Sequence, residues 1–289
     1  MSHTSQFTIS VDRFPSLNGR VVVATGAATG IGASLTRLLV FHGAHVFFGD
    51  TNTDAGTKLE RELSSAMGGS ATFFQTDVQK YDEMYALFRQ AYNRHGRVDH
   101  AVYSAGLLGL GRYFADASLI VDTVGQDPGD LSTLDFNLIG AVRFTRLTVV
   151  FLQAKEDGLD KPITLLSSIG AIRDSSGVPL YQTSKVGVLG LLRGLRTLPW
   201  AIPRGSVLNP KVRVNIGCPG VTDTPMTAHL VSQVKAAAGR AHCQSLEAVA
   251  EIIAGVLVGG RLNGQDYVFW LERVYTWKEG WPSRLRKGW

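Results

Sequence analysis

Tyr181 and Lys185, the ends of Tyr181-Gln-Thr-Ser-Lys185, lie four residues apart and so share one face of a helix, phenol beside ammonium. A free tyrosine ionises at about pH 10 and a neighbouring cation favours the phenolate. The pair is therefore a candidate general base that trades a proton with an alcohol near neutral pH, with Lys185 tuning Tyr181. Alone the spacing is weak, because it also arises on ordinary solvated helix faces.

A second chemical signal lies upstream. Val21-Val-Val-Ala24 is an apolar run of buried-strand type; Thr25-Gly-Ala-Ala-Thr-Gly-Ile-Gly32 follows, then Leu35, Leu38 and Leu39 at helical spacing. This predicts a strand, a glycine turn and a helix start. Gly26 permits the sharp turn, Gly30 lets the backbone approach a pyrophosphate, and Gly32 allows close helix packing. Thr29 and Ile31 fall in the same loop, where helix N-terminal amides would face phosphates. The spacing is T-G-x-x-x-G-x-G, not G-x-G-x-x-G.

With both motifs in hand, the chain resembles the short-chain dehydrogenase/reductase family from about Leu17 to Asp266. The resemblance implies a catalytic set of four. Asn137, in Asp135-Phe-Asn-Leu-Ile-Gly140, matches the family's helix asparagine, and Ser168 stands thirteen residues before Tyr181, where the family places its serine. Pro219-Gly220-Val221-Thr222-Asp223-Thr224 follows the apolar run Val212 to Ile216 and matches the segment that flanks the nicotinamide carboxamide. Asp77-Val78 resembles the pair that contacts adenine, a strand-end cap being the other reading. Lys185 is also expected on the nicotinamide ribose. The family's N-N-A-G appears as Tyr103-Ser104-Ala105-Gly106, so Ser104 replaces the asparagine that steadies this region and looser binding is expected there.

Charge argues for the cofactor. Asp50 closes Val46-Phe-Phe-Gly-Asp50, where a carboxylate can accept from both adenosine ribose hydroxyls and repel a 2′-phosphate. No basic residue stands in the glycine loop, and Thr51 and Asn52 follow the strand, so NAD is favoured over NADP.

The elements that must position these groups alternate. Strands are expected at Arg20–Thr25, His45–Gly49, Ala71–Thr76, Val98–Ser104, Ile163–Ser167, Val212–Ile216 and Asp266–Trp270, with helices between them, including Gln79–His95 and Ser245–Val258. That pattern predicts a single α/β domain of Rossmann type: a doubly wound parallel sheet in a three-layer α/β/α sandwich, with ligands at the carboxyl ends of the strands. The expected boundaries are an N-terminal extension over residues 1–16, the catalytic domain over 17–270 with a substrate lid near 222–245, and an aromatic and basic tail over 271–289. The lid carries Met226, Leu230, Val231 and Val234 at helical spacing, which suits an apolar substrate. Gly109, Gly111, Gly125, Pro128 and Gly129 suggest an irregular loop over the site mouth, and Pro199 should end or kink the helix that begins near Tyr181.

Composition bounds the rest. A chain of 289 residues with 45% hydrophobic content can bury a full core. The net charge of +5 is scattered, without a basic strip interleaved with aromatics, so no nucleic-acid partner is expected. The seven histidines lack ligand spacing, and no metal is expected. Cys218 and Cys243 are too few for a disulfide framework; with no apolar span and no secretory start, a cytoplasmic protein is expected. These readings converge on an oxidoreductase that moves hydride between NAD and a secondary alcohol or ketone of terpenoid, steroid, polyketide or lipid type, assembled as a homodimer or homotetramer. The alternative is a cofactor-responsive binding or scaffolding protein on the same fold.

Overall fold

The computed structural model describes residues 6–7, 11–64, 68–109, 113–114, 121, 124–125, 130–155, 157–175, 177–197, 212–228, 231, 243–259, 266–270 and 273–276. Among them nine strands make one sheet: β1 (Gln6–Phe7), β2 (Val21–Thr25), β3 (His45–Asp50), β4 (Ser70–Gln75), β5 (His100–Tyr103), β6 (Lys161–Leu166), β7 (Val212–Pro219), β8 (Asp266–Trp270) and β9 (Arg273–Thr276). The order is β1-β9-β8-β7-β6-β5-β2-β3-β4. From β4 to β8 all neighbours pair in parallel, as the alternating pattern requires. The chain winds outward from β2 in one direction and from β5 in the other. Between these two strands the order reverses, which opens a crevice at their carboxyl ends.

Burial on both faces explains why the strands read as continuous apolar runs. Along β2, Val22 and Ala24 join the core layer under α1 (Gly30–Phe41), α2 (Thr53–Leu63) and α7 (Leu246–Val258). Val21 and Val23 point the other way, into the layer under α3 (Tyr81–His95), α5 (Gly140–Gln153) and α6 (Pro179–Thr197). Helix starts are fixed locally: Asn52 Oδ1 accepts the Ala55 amide at 3.0 Å, and Ser245 Oγ accepts that of Ala248 at 3.1 Å. Each such cap stabilises by about 1 kcal/mol.

At the opposite end from the crevice, Asp99 binds three elements together. Its Oδ2 accepts the Val21 amide at 2.9 Å and Arg97 at 3.0 Å, while Oδ1 meets the buried Lys161 at 3.2 Å. This network fixes β2, β5 and β6 relative to one another and leaves their far ends free for ligands.

Three features go beyond the sequence reading. Residues Val11–Leu17 form a 3-10 helix whose Phe14 and Leu17 are buried in the same layer as α1 and α7. β9 folds back antiparallel on β8, and β1 pairs antiparallel with β9, so both ends of the chain extend the sheet. The helix leading into α5 also changes pitch: a turn at Ser132–Leu134 (α4) passes into a π-helical stretch, Asp135–Ile139, before α5 begins. Pro199, Leu230, Val234, Gly111, Pro128 and Gly129 lie outside the described residues.

Candidate active site

One cleft at the carboxyl ends of the parallel strands is lined by Gly26, Thr29, Gly30, Ile31, Gly32 and Asp50, by Ser104, Ala105 and Gly106, by Ser168, Tyr181 and Lys185, and by Pro219, Gly220, Thr222 and Thr224. Residues expected from separate motifs thus meet in one place. The glycine loop needs its glycines for contact as well as for conformation. Gly26 has φ +63°, and a Cβ there would collide with the backbone of Ala105; a Cβ on Gly32 would collide with the Gly26 carbonyl. The loop therefore lies directly on the turn that ends β5. Ser104 takes part, its hydroxyl donating to the carbonyls of Thr25 at 2.6 Å and Gly26 at 3.1 Å. The short side chain thus holds the glycine loop directly onto the end of β5.

The cleft fits a dinucleotide by shape and by donors. A Cβ on Gly30 would come within 3.4 Å of Thr224, filling the gap between the glycine loop and the segment after β7. Thr29 caps α1 without a side-chain hydrogen bond, which leaves the first-turn amides available to a phosphate. Asp50 stands at the rim beside them.

At the other end of the cleft Tyr181 and Ser168 line the same wall, and Ser168 Oγ accepts the Gly170 amide at 3.1 Å. Lys185 Nζ donates to the Leu166 carbonyl at 3.0 Å and lies 5.7 Å from the Tyr181 ring centre. A Cβ on Gly106 would sit 3.5 Å from Lys185 Nζ, 3.6 Å from Asn137 Oδ1 and 3.7 Å from Met226 Cε, so these three groups surround one point.

Burial governs the protonation of both groups. Burial raises the Tyr181 hydroxyl above its ordinary value; the Ser168 hydrogen bond opposes this and the Cys218 thiol adds to it. Burial also pushes Lys185 down to about 8, against a smaller upward pull from Cys218. Burial is the largest influence on each group. Both groups are stripped of water, and desolvation favours the neutral form of each.

Four expected residues stand behind or beside the lining. Asn137 is fully buried; its amide nitrogen donates to the Leu107 carbonyl at 2.8 Å and to Ser184 Oγ at 2.9 Å, and its oxygen accepts the Leu107 amide at 2.7 Å. Asp77 Oδ1 accepts the Gln79 amide at 2.9 Å, the strand-end cap of the alternative reading. Val78 is buried in the core under α3 and α5, and the Val221 carbonyl accepts the Gln244 amide at 2.8 Å.

The residues range matched by the family model described as short chain dehydrogenase is 20–235, most of the chain. The chain belongs to the short-chain dehydrogenase/reductase family. It is thus an oxidoreductase of a family that binds nicotinamide cofactors. A 15-hydroxyprostaglandin dehydrogenase [NAD(+)] from Mus musculus is 29% identical over 211 residues, covering 73% of this chain and 70% of that protein. The short-chain dehydrogenase/reductase prx4 of Penicillium rubens is 30% identical over 257 residues, covering 86% and 70%. Among solved structures, a dehydrogenase/reductase from Sinorhizobium meliloti superposes with a TM-score of 0.70 at 24% identity, over 89% of this chain and 97% of the other, a likeness of fold.

Within this family member, the sequence reading missed several lining residues. Thr51, Leu107, Phe136, Leu166, Ser167, Pro225 and Thr227 all face the cleft, and Met226 joins them from the expected lid. Val231, expected on the lid's apolar face, is buried. Gln244 was also missed. Its side-chain oxygen accepts the Gly220 amide at 2.7 Å and its backbone bridges to Thr222, so it ties the approach to α7 onto the segment after β7. No local pattern distinguishes a single glutamine before a helix cap.

Proposed function

We propose that the protein is an NAD-dependent dehydrogenase or ketoreductase that interconverts a bulky, apolar secondary alcohol and its ketone. The observation that carries this is the convergence of Ser168, Tyr181 and Lys185 in the cleft that also holds the glycine loop and Asp50. The glycine loop, Asp50, Ser104 to Gly106, Lys185 and the Pro219–Thr224 segment would hold a nicotinamide cofactor, which would supply the hydride acceptor or donor. The name of the mouse relative, an NAD(+) enzyme for a hydroxyprostaglandin, supports both the cofactor and a lipid-like substrate.

Tyr181 and Ser168 together address the oxygen of the substrate. Ser168 holds that oxygen by a hydrogen bond, and Tyr181 gives it a proton when a carbonyl is reduced or takes one when an alcohol is oxidised. Because burial keeps Tyr181 protonated, the resting site is prepared to donate. Lys185 keeps a fixed place through Leu166, and its remaining protons would hold the ribose of a bound cofactor. Asn137 spends its side-chain amide on Leu107 and Ser184, and so braces the wall of the cleft. Leu107, Phe136 and Met226 give the substrate an apolar surface. The valines Val142 and Val150 on α5 and Val186 on α6 are exposed at 41%, 65% and 47%, which supports assembly into a homodimer or larger homo-oligomer.

The test is turnover of NAD with secondary alcohols, followed by NADH absorbance. Tyr181→Phe should lower kcat by roughly 100-fold or more, the usual worth of a positioned acid–base group, while NAD affinity changes only a few-fold. Activity close to that of the unaltered enzyme would remove Tyr181 from this role.

A further inference from the structure

Tyr103 ends β5 one residue before the Ser104 clamp, at a place where the family pattern has asparagine. It is fully buried, its ring packed against Phe144 with centroids 5.3 Å apart. Its hydroxyl crosses to the helix opposite and donates to the carbonyl of Phe136.

That carbonyl belongs to the π-helical stretch Asp135–Ile139. In an α-helix the amide of Gly140 would bond to the carbonyl four residues back, at Phe136. Here the Gly140 amide goes five residues back, to Asp135. Tyr103 supplies a donor to the carbonyl that this shift passes over. Burial without such a donor is costly for a backbone carbonyl, so the hydroxyl favours the π register over the α register. Gly140 completes the arrangement, because a Cβ there would collide with the Tyr103 hydroxyl.

The π stretch contains Asn137, and the register sets where Asn137 points. From that position its amide holds both backbone groups of Leu107 and the hydroxyl of Ser184, which lies between Tyr181 and Lys185 in sequence. Phe136, on the same turn, lines the cleft. A return to α geometry would rotate both residues away from these contacts.

We propose that Tyr103 is a positioning residue for catalysis: its hydroxyl locks the π turn that places Asn137, and Asn137 in turn sets the wall beside Tyr181 and Lys185. This rests on the dehydrogenase reading above. Tyr103 lies outside the lining of the cleft and acts through Asn137.

Tyr103→Phe keeps the ring and removes only the donor. Its kcat should fall about tenfold or more with KM for NAD within about threefold, the split expected for a misplaced catalytic wall. The double variant with Asn137→Ala should be no slower than Asn137→Ala alone, because both lesions act through one group. Amide hydrogen exchange in peptides covering 135–141 should accelerate at least about tenfold in Tyr103→Phe, a readout independent of turnover. Unchanged exchange with kcat within twofold would overturn the proposal, and losses that multiply in the double variant would overturn the route through Asn137. Should Tyr103→Phe fail to fold, Gly140→Ala displaces the same hydroxyl and must show the same loss; full activity there refutes the lock. An unaltered protein inactive on every alcohol tested would sink the proposed function, while the exchange comparison would still decide this inference.

Discussion

Asp50 Oδ2 accepts the amide hydrogen of Ala28 at 3.0 Å, so the carboxylate that ends β3 is tied to the glycine loop that follows β2. Its other oxygen accepts the Asn52 amide at 3.0 Å. Each carboxylate oxygen retains a lone pair for a ribose hydroxyl, and the charge is held in one place by two backbone donors. A 2′-phosphate entering there meets a fixed anion with no basic side chain in the glycine loop to compensate. Titration of both oxidised cofactors should show NAD binding at least about tenfold tighter than NADP, near 1.4 kcal/mol. Asp50→Asn keeps the shape, removes the charge and should narrow that gap. Equal affinities in the unaltered protein would end the NAD assignment.

Lys185 and Tyr181 make a prediction about pH and direction. With the hydroxyl raised by burial, alcohol oxidation needs the proton removed, and its rate should climb with pH; ketone reduction needs the proton present and should fall over the same range. Lys185, pushed down to about 8, loses its charge within the range where that climb is read. Lys185→Met should flatten the profile near pH 8 and weaken cofactor binding. A variant with an unaltered profile would show that Lys185 neither titrates nor contributes there.

Histidines make the fold sensitive to acid. His100 is fully buried, and desolvation pushes it from 6.5 down to about 3, with Asp99 pulling weakly the other way. His45 and His95, stacked at 4.7 Å, are both lowered by burial first; Arg94 and Arg97 follow for His45, and His45 itself, then Arg94 and Arg97, for His95. In each case the unfolded chain binds a proton more readily than the folded one. The stability these groups contribute is therefore present above pH 6.5 and is lost as pH falls from 6.5 toward 3. Melting temperature measured across that window should drop steadily, and His100→Gln should make the drop shallower. A flat curve between pH 7 and 4 would contradict the burial argument.

The motifs were legible because each is a local pattern with a local physical cause. The glycine loop and Tyr181 with Lys185 sit where strand and helix periodicity put them, Ser168 was found through the family resemblance, and the parallel sheet follows from the same alternation. What stayed hidden depends on distant partners. The role of Tyr103 needs the carbonyl of Phe136, 33 residues away, and a change of helical register that no hydrophobic period encodes. Gln244 reaches Gly220 across 24 residues of intervening chain. β1 and β9 pair residues from opposite ends of the chain, and short strands of this kind carry little periodic signal. Burial, which sets the direction of the Tyr181 shift, is likewise a property of the assembled core, whereas spacing shows only which charges are neighbours.

Substrate size is the last quantity the cleft should control. Leu107, Phe136 and Met226 line it near Tyr181, and Leu107 and Met226 remain 40% and 42% exposed, so apolar surface is available to a ligand. Burying roughly 100 Å² more of an apolar substrate against them would contribute about 2.5 kcal/mol, close to a seventyfold gain in kcat/KM if the contact is kept in the transition state. A series of secondary alcohols from propan-2-ol to ring systems and long chains should therefore show kcat/KM rising with size. Met226→Ala should flatten the series by removing side-chain surface without touching the proton-transfer groups. If small polyols or sugars were turned over best, these side chains would be contacts within the fold and not a substrate surface, and the apolar-substrate reading would fall while the role of Tyr181 stood.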